Sequence, residues 1–506
     1  MSKVRALLVG VSEYSSSQNN LPFCKNDVIA MKRALMTGLA VDEKDIVVCG
    51  ETGTVNSTDF LTACRDFFSR AKEDDILIFY YSGHGGGANH CFCLSDGFVK
   101  TQEMIDLMER VPSKSKILFL DCCHAGNFAV DGSAEMDILQ TVDDFVGKGC
   151  AVLASSNSAQ SSYPVPDKSI SLFTANLCYA LSAKFLIKNG KKTLYDIHKL
   201  LFLVMDIWNR GNPNMAQNPI YRANIGGTIS FDVEDYKPYM SEKYYDKTEK
   251  YIIYDVEPIH AGEVKRFSVK VILKEPLSLE EISTVNHEII EKVRLLNISK
   301  NKNMELRWKN RKANIVFCYF GLDETDVLNG IFLCRTTWVD ETQDKSQWYG
   351  KGKDTEIIQD ICFRINTGYD FIKRFTEQNL GNPDELLADT KAIISEMLTN
   401  AEKFIAKYND YINGDIDEAT FIEKIKPVSA EIHKLYNKHG NLDIPPNEMV
   451  EWSQLCSNLV STIDDFALYY TGNFLNRSPE NRKSCMEIAL KRYYKCLEDL
   501  KNSNIQ

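Results

Sequence analysis

No apolar run in the 506-residue sequence approaches 18 residues, so no segment reads as a transmembrane helix. The opening residues Met1 to Gly10 hold only a short apolar stretch. That is a first buried strand rather than a signal-peptide core, and a cytoplasmic chain is expected. A surplus of positive charge is also missing. Lys and Arg number 59 against 70 Asp and Glu, a net charge of −11. This disfavours bulk nucleic acid or a membrane surface as the main partner. There is no CxxC pair, and the 15 cysteines show no framework spacing. Most sit in apolar runs (Cys150, Cys178, Cys318, Cys334), as buried free thiols do in a reducing compartment. Cys91/Cys93 and Cys122/Cys123 have no second Cys/His cluster at ligand spacing, so no structural zinc is expected. Hydrophobic residues at 44% and charged residues at 25% exclude a disordered or collagen-like chain.

The length implies several domains, and three segments are legible. Residues 1–236 alternate apolar runs with helical patterns. The strand candidates are Ala6–Val11, Ile46–Cys49, Asp75–Tyr81, Lys116–Asp121 and Cys150–Ser155. Each is nearly continuous rather than alternating, the pattern of strands covered on both faces. With helices between them, they predict an α/β sandwich with a mostly parallel sheet. Residues 245–340 change rhythm and predict an α+β unit, with strands at Tyr251–Val256, Arg266–Leu273, Asn314–Phe320 and Gly330–Val339 and a helix at Ser278–Leu296. Residues 353–506 predict a helical bundle. There Ile393, Met397, Ala401, Phe404, Tyr408 and Tyr411 form a stripe ending at Gly414, a residue suited to a helix C-terminus.

The chemistry gathers at two strand ends. Phe79-Tyr80-Tyr81 runs into Ser82-Gly83-His84-Gly85-Gly86-Gly87, and Ile117-Leu118-Phe119-Leu120 runs into Asp121-Cys122-Cys123-His124-Ala125-Gly126. In open α/β sheets ligands bind beyond the carboxyl ends of the strands. A thiolate nucleophile needs a base within hydrogen-bond reach, and backbone amides at a glycine-rich turn can hold an oxyanion.

Tyr-Ser-Gly-His-Gly followed by Asp-Cys-Cys-His-Ala-Gly resembles the caspase-like cysteine peptidases, in particular the metacaspase and prokaryotic branch. Leu21-Pro22-Phe23-Cys24-Lys25-Asn26-Asp27, Ala154-Ser155-Ser156 and Leu172-Phe173-Thr174 belong to the same likeness. The resemblance implies a caspase-like fold over about residues 1–235, Cys123 as nucleophile, His84 as base, and the amides of Gly85 and Cys123 as the oxyanion hole. Cys122 takes a variable position, and His124 belongs to the motif without being the base. The resemblance further implies that Asp121 and Asp27, with Cys24 and Ser82 close by, line the primary specificity pocket. Alternation along the strand places Asp121 on the same face as Cys123. Two carboxylates favour a cationic side chain, so cleavage after Arg or Lys is expected. The other reading of Asp27 is an ordinary carboxylate at a helix start.

No cofactor is read from the residues; calcium, used by many metacaspases, is a candidate by resemblance alone. Between Lys116 and Lys148 there is no Lys or Arg, and the stretch carries Asp131, Glu135, Asp137, Asp143 and Asp144. Self-cleavage there is not expected of an enzyme cutting after basic residues; Lys148 and Lys168 remain as sites. Control then falls to residues 245–506, where Arg307 and Arg311 flank Trp308 and Arg335 follows with Trp338. Cations among aromatics suit a phosphate-bearing or nucleotide ligand; the other reading is a charged strand edge. The expected function is a ligand-activated endopeptidase, with cell death in antiviral defence as its output. The alternative is a caspase-fold scaffold without catalysis.

Overall fold

The structure, a computed structural model, describes residues 3–86, 91–122, 138–155, 163–236, 242 and 244–503. Cys123, His124 and the acidic positions 131, 135 and 137 lie outside them. The chain forms two compact units, Met1–Ile372 and Lys373–Gln506.

The first sheet of the first unit has six strands in the order Ile220–Ala223, Cys150–Ala154, Ser115–Asp121, Ile76–Ser82, Val4–Gly10 and Ile46–Cys49. Five run parallel, and Ile220–Ala223 is an antiparallel edge. Successive side chains alternate between two cores. Leu8, Ile78, Tyr80, Ile117 and Phe119 face the helices Cys24–Gly38, Leu172–Ser182 and Leu194–Gly211. Leu7, Val9, Leu77, Phe79, Leu118 and Leu120 face the helices Ser57–Ser69, Thr101–Glu109 and Ile138–Val146. With both faces covered, every position must be apolar, which explains the continuous runs. At the end of the first strand, a Cβ on Gly10 would lie 2.6 Å from the Cys24 carbonyl oxygen and 2.4 Å from Val28 Cγ2. Only glycine lets the helix carrying Cys24 and Asp27 approach so closely.

The second sheet has seven strands in the order Asp246–Lys247, Tyr251–Pro258, Arg266–Leu273, Ile315–Gly321, Cys334–Val339, Ile361–Ile365 and Thr355–Ile358. The helix Leu279–Val293, opened by a capping box of Ser278 and Glu281, covers one face. The predicted helical segment 353–506 therefore starts with two strands. They form a hairpin whose turn residues, Gln359 and Asp360, both have positive φ (47° and 68°). That two-residue turn is normally marked by Asn-Gly or Asp-Gly, and here it carries no glycine.

The two sheets share one apolar core. It runs from Leu200, Leu201 and Val204 of the last helix of the first sheet to Tyr251, Val269, Phe363 and Tyr369. Gly211 packs against Thr367, where a Cβ would come within 2.7 Å, and Arg210 pairs with Glu356. The division expected near residues 236–245 falls inside this unit.

The second unit holds the helices Pro383–Ile412, Glu418–Gly440, Val450–Leu468 and Pro479–Lys501. The stripe from Ile393 to Tyr411 is buried with Phe421, Leu459, Ile463 and Met486. Gly414 follows the first helix in the left-handed conformation, φ 81°.

Candidate active site

Two adjacent parallel strands deliver the site. Their register pairs Ser82 with Asp121, and the Gly83 amide donates to the Asp121 carbonyl at 3.2 Å. His84 and Cys123 each follow two residues beyond that aligned pair.

His84 is anchored at its backbone and at its ring. Its amide donates to the Tyr14 hydroxyl at 2.8 Å, and the Tyr81 hydroxyl lies 2.7 Å from its carbonyl. Nε2 lies 2.9 Å from the Asn19 carbonyl oxygen. A carbonyl only accepts, so the neutral ring carries its proton on Nε2 and its lone pair on Nδ1. Burial pushes the His84 pKa below its usual value, opposed by the Asn19 contact, which keeps the ring neutral near pH 7. Burial also pushes the Tyr14 and Tyr81 hydroxyls up, so both stay protonated. Gly83 is required between them: a Cβ there would sit 2.7 Å from the Tyr81 oxygen and 3.0 Å from the Tyr14 oxygen. Beyond His84, Gly85 and Gly86 pair with Phe92 and Cys91 in a short three-stranded sheet.

Beneath this turn lie the two carboxylates. Asp27 is 0% and Asp121 4% exposed. Asp27 accepts from Ser82 Oγ at 2.7 Å and from the Ser171 amide at 2.8 Å. Asp121 accepts from Thr174 Oγ1 at 2.7 Å and from the Ser171 hydroxyl. Burial, and secondarily the Asp121 charge, raise the Asp27 pKa well above the usual carboxylate range. Asp27 lies in the first turn of its helix, yet its carboxylate turns to the sheet and to Ser171 instead of capping the helix. Cys24 is buried one turn before it.

Cys122 is 2% exposed and packs in the core on the opposite face from Asp121, with Leu118, Leu120 and Val152. Of the residues the sequence pointed to, Asp27, Ser82 and Asp121 are brought together through Ser82 and Ser171, and His84 follows Ser82 by two residues. The sequence did not point to Tyr14, Asn19, Ser171 or the tyrosine hydroxyls. Ser171 carried one available signal, a helix N-cap before Leu172-Phe173-Thr174, and it does accept from the Thr174 amide at 3.2 Å.

The cations of the second sheet do not form one cluster. Arg307 and Arg311 stack on Trp308 at 5.2 and 5.5 Å, Trp308 is 4% exposed, and Arg307 pairs with Glu263. Arg335 instead lies over Tyr319 at 5.6 Å and lines a cavity that neither of the other two reaches. Asp143 pairs with Arg222, and Lys148 pairs with Glu109 at 2.6 Å. Lys168 sits in an exposed turn at φ 57°. Among the described residues no three His, Cys, Asp or Glu side chains are grouped to hold a metal ion, and no helix is long and apolar enough to cross a membrane.

Residues 3–225 match the sequence model of the caspase domain family. Metacaspase-1 of Schizosaccharomyces pombe is 36% identical over 89 residues, 17% of this chain and 21% of that protein. Metacaspase-7 of Arabidopsis thaliana is 30% identical over 140 residues, 24% of this chain and 34% of that one. Metacaspase-2 of Trypanosoma brucei brucei is 31% identical over 146 residues, 24% and 42%. The chain thus spans about a fifth to two fifths of the length of these curated relatives. Among solved structures, caspase-1 from Spodoptera frugiperda aligns over 46% of this chain and 90% of that one, at 12% identity and a TM-score of 0.33.

Proposed function

Because residues 3–225 are a caspase domain, we propose that this chain is a cysteine endopeptidase that uses Cys123 as nucleophile and His84 as base. The observation that carries the reading is the Ser82–Asp121 register, which His84 and Cys123 each follow by two residues in the sequence. His84 Nδ1 takes the thiol proton, and the sulfur attacks the scissile carbonyl carbon. The amides of Gly85 and Cys123 stabilise the oxyanion. His84 then gives the proton to the leaving amine, leaving an acyl-enzyme. Water attacks that thioester, with His84 as base again, and the acid product and thiol are released.

The buried Asp27–Asp121 pair supports cleavage after Arg or Lys. A substrate cation reaching it would offset the burial and, secondarily, the Asp121 charge that raise the Asp27 pKa. Residues 245–506 act as the control region; the support is the shared core and the Arg210–Glu356 pair, which connect the second sheet to the last helix of the first. The test is hydrolysis of fluorogenic peptides by the full chain. Cleavage after Arg or Lys, lost in Cys123→Ala, is the expected result. A chain that cleaves neither, or only after Asp, overturns it.

A further inference from the structure

The face of the second sheet opposite the helix Leu279–Val293 holds a cavity of about 350 Å³. Its floor comes from three adjacent strands, with Tyr319 beside Arg335 and Arg335 directly opposite Arg364. Like charges facing each other across an antiparallel pair are destabilising. Asp354 relieves one of them, accepting from Arg364 Nε at 2.7 Å. Arg335 makes no ion pair among the described residues and rests only on the rings of Tyr319 and Phe332. A wall is added by Trp348 and the loop Gly350-Lys351-Gly352. Three cations against one carboxylate give the lining a formal charge of +2, in a chain whose net charge is −11. A cavity of this size, with exposed cations along its lining and aromatic rings beside them, has the composition of a small-molecule site.

We propose that this cavity binds a nucleotide, its phosphates held between Arg335, Arg364 and Lys351 and its base against Tyr319 or Trp348. Arginine suits phosphate through its fork of donors, and an aromatic wall suits a planar base. The site also has a path to the peptidase. Thr355 lines the cavity, and the next residue, Glu356, holds Arg210 of the last helix of the caspase domain. Occupancy that orders the Thr355–Ile358 strand therefore bears on that helix. Binding stands independently of the catalytic reading; only its effect on rate rests on it.

The experiment titrates the full chain with a fluorescent ADP analogue, competed by ADP, adenosine or pyrophosphate. Saturable binding is expected in the micromolar range, with adenosine and pyrophosphate each about tenfold weaker or more than ADP. Arg335→Ala and Arg364→Ala should each weaken ADP binding about tenfold or more, while Arg307→Ala, whose side chain lies outside the cavity, leaves it unchanged. Absence of saturable binding below about 1 mM overturns the proposal, since even weak specific sites are filled there. So does wild-type affinity in Arg335→Ala, and so does pyrophosphate binding as tightly as ADP, which removes the base from the site. Peptide hydrolysis is read in parallel. ADP should change the wild-type rate and leave the Arg335→Ala rate where it stands without ADP, and a wild-type rate that ADP leaves unchanged overturns the link to the peptidase. A chain that binds ADP yet cleaves no peptide counts against the catalytic reading alone.

Discussion

Asp27 and Asp121 are joined through one residue: the Ser171 amide donates to the first and the Ser171 hydroxyl to the second. Two buried carboxylates are thereby held in one place by neutral donors. The electrostatic cost of the arrangement appears in the raised Asp27 pKa.

That shift sets a pH dependence. At low pH Asp27 holds its proton and the pocket carries less negative charge; deprotonation restores the second charge. For Arg-ending peptides kcat/KM should rise with pH through the Asp27 titration and then level. Asp27→Asn should flatten that rise, and Asp121→Ala should lower kcat/KM about 10²-fold. A pH profile of the Asn variant identical to wild type would sink the assignment. The sign for stability is opposite. A carboxyl raised in the folded state contributes stability below its unfolded value, and that contribution is lost as pH rises through the folded value. Above that range Asp27→Asn should raise the melting midpoint relative to wild type.

The adjacent cysteines should behave differently. Cys123→Ala should lower kcat by about 10⁴-fold or more, as loss of a nucleophile does. Cys122→Ala should keep most activity and lose some heat resistance, because its side chain fills the apolar core. Kinetics and melting curves on both variants separate the two roles.

Gly83→Ala should cripple catalysis with little loss of fold. The added methyl displaces the Tyr14 and Tyr81 hydroxyls that anchor the His84 backbone. An ångström of misplacement costs about 10²-fold. Far-ultraviolet circular dichroism should stay native while kcat falls.

Lys192 is 0% exposed and donates to the carbonyls of Gly38 at 3.0 Å and Leu181 at 2.5 Å, in the last turns of two helices on one face of the sheet. Lys192→Met should cost about 2–4 kcal/mol, because two buried carbonyls lose their donor. Thermal inactivation of peptide hydrolysis in the full chain measures this.

The parallel strands were legible because burial on both faces leaves unbroken apolar runs. The paired motifs were legible because two apolar runs in the sequence lead straight into reactive residues. Ser171 was not, since it lies 50 positions from Asp121 and resembles any helix cap. The Thr355–Ile365 hairpin was hidden by a turn without glycine. Arg335 was grouped with Arg307 and Arg311 because they are near in sequence. Strand alternation puts it on another surface, and its partner Arg364 comes from a hairpin read as part of a helical segment.

The apolar core common to both sheets should make the chain's first 372 residues melt as one unit rather than as a head with a detachable tail. A backbone nick between the sheets would leave the halves clasped, much as a cleaved loop leaves a protein whole. An isolated first sheet would present bare hydrocarbon where Leu200 and Val204 now pack, and would clump.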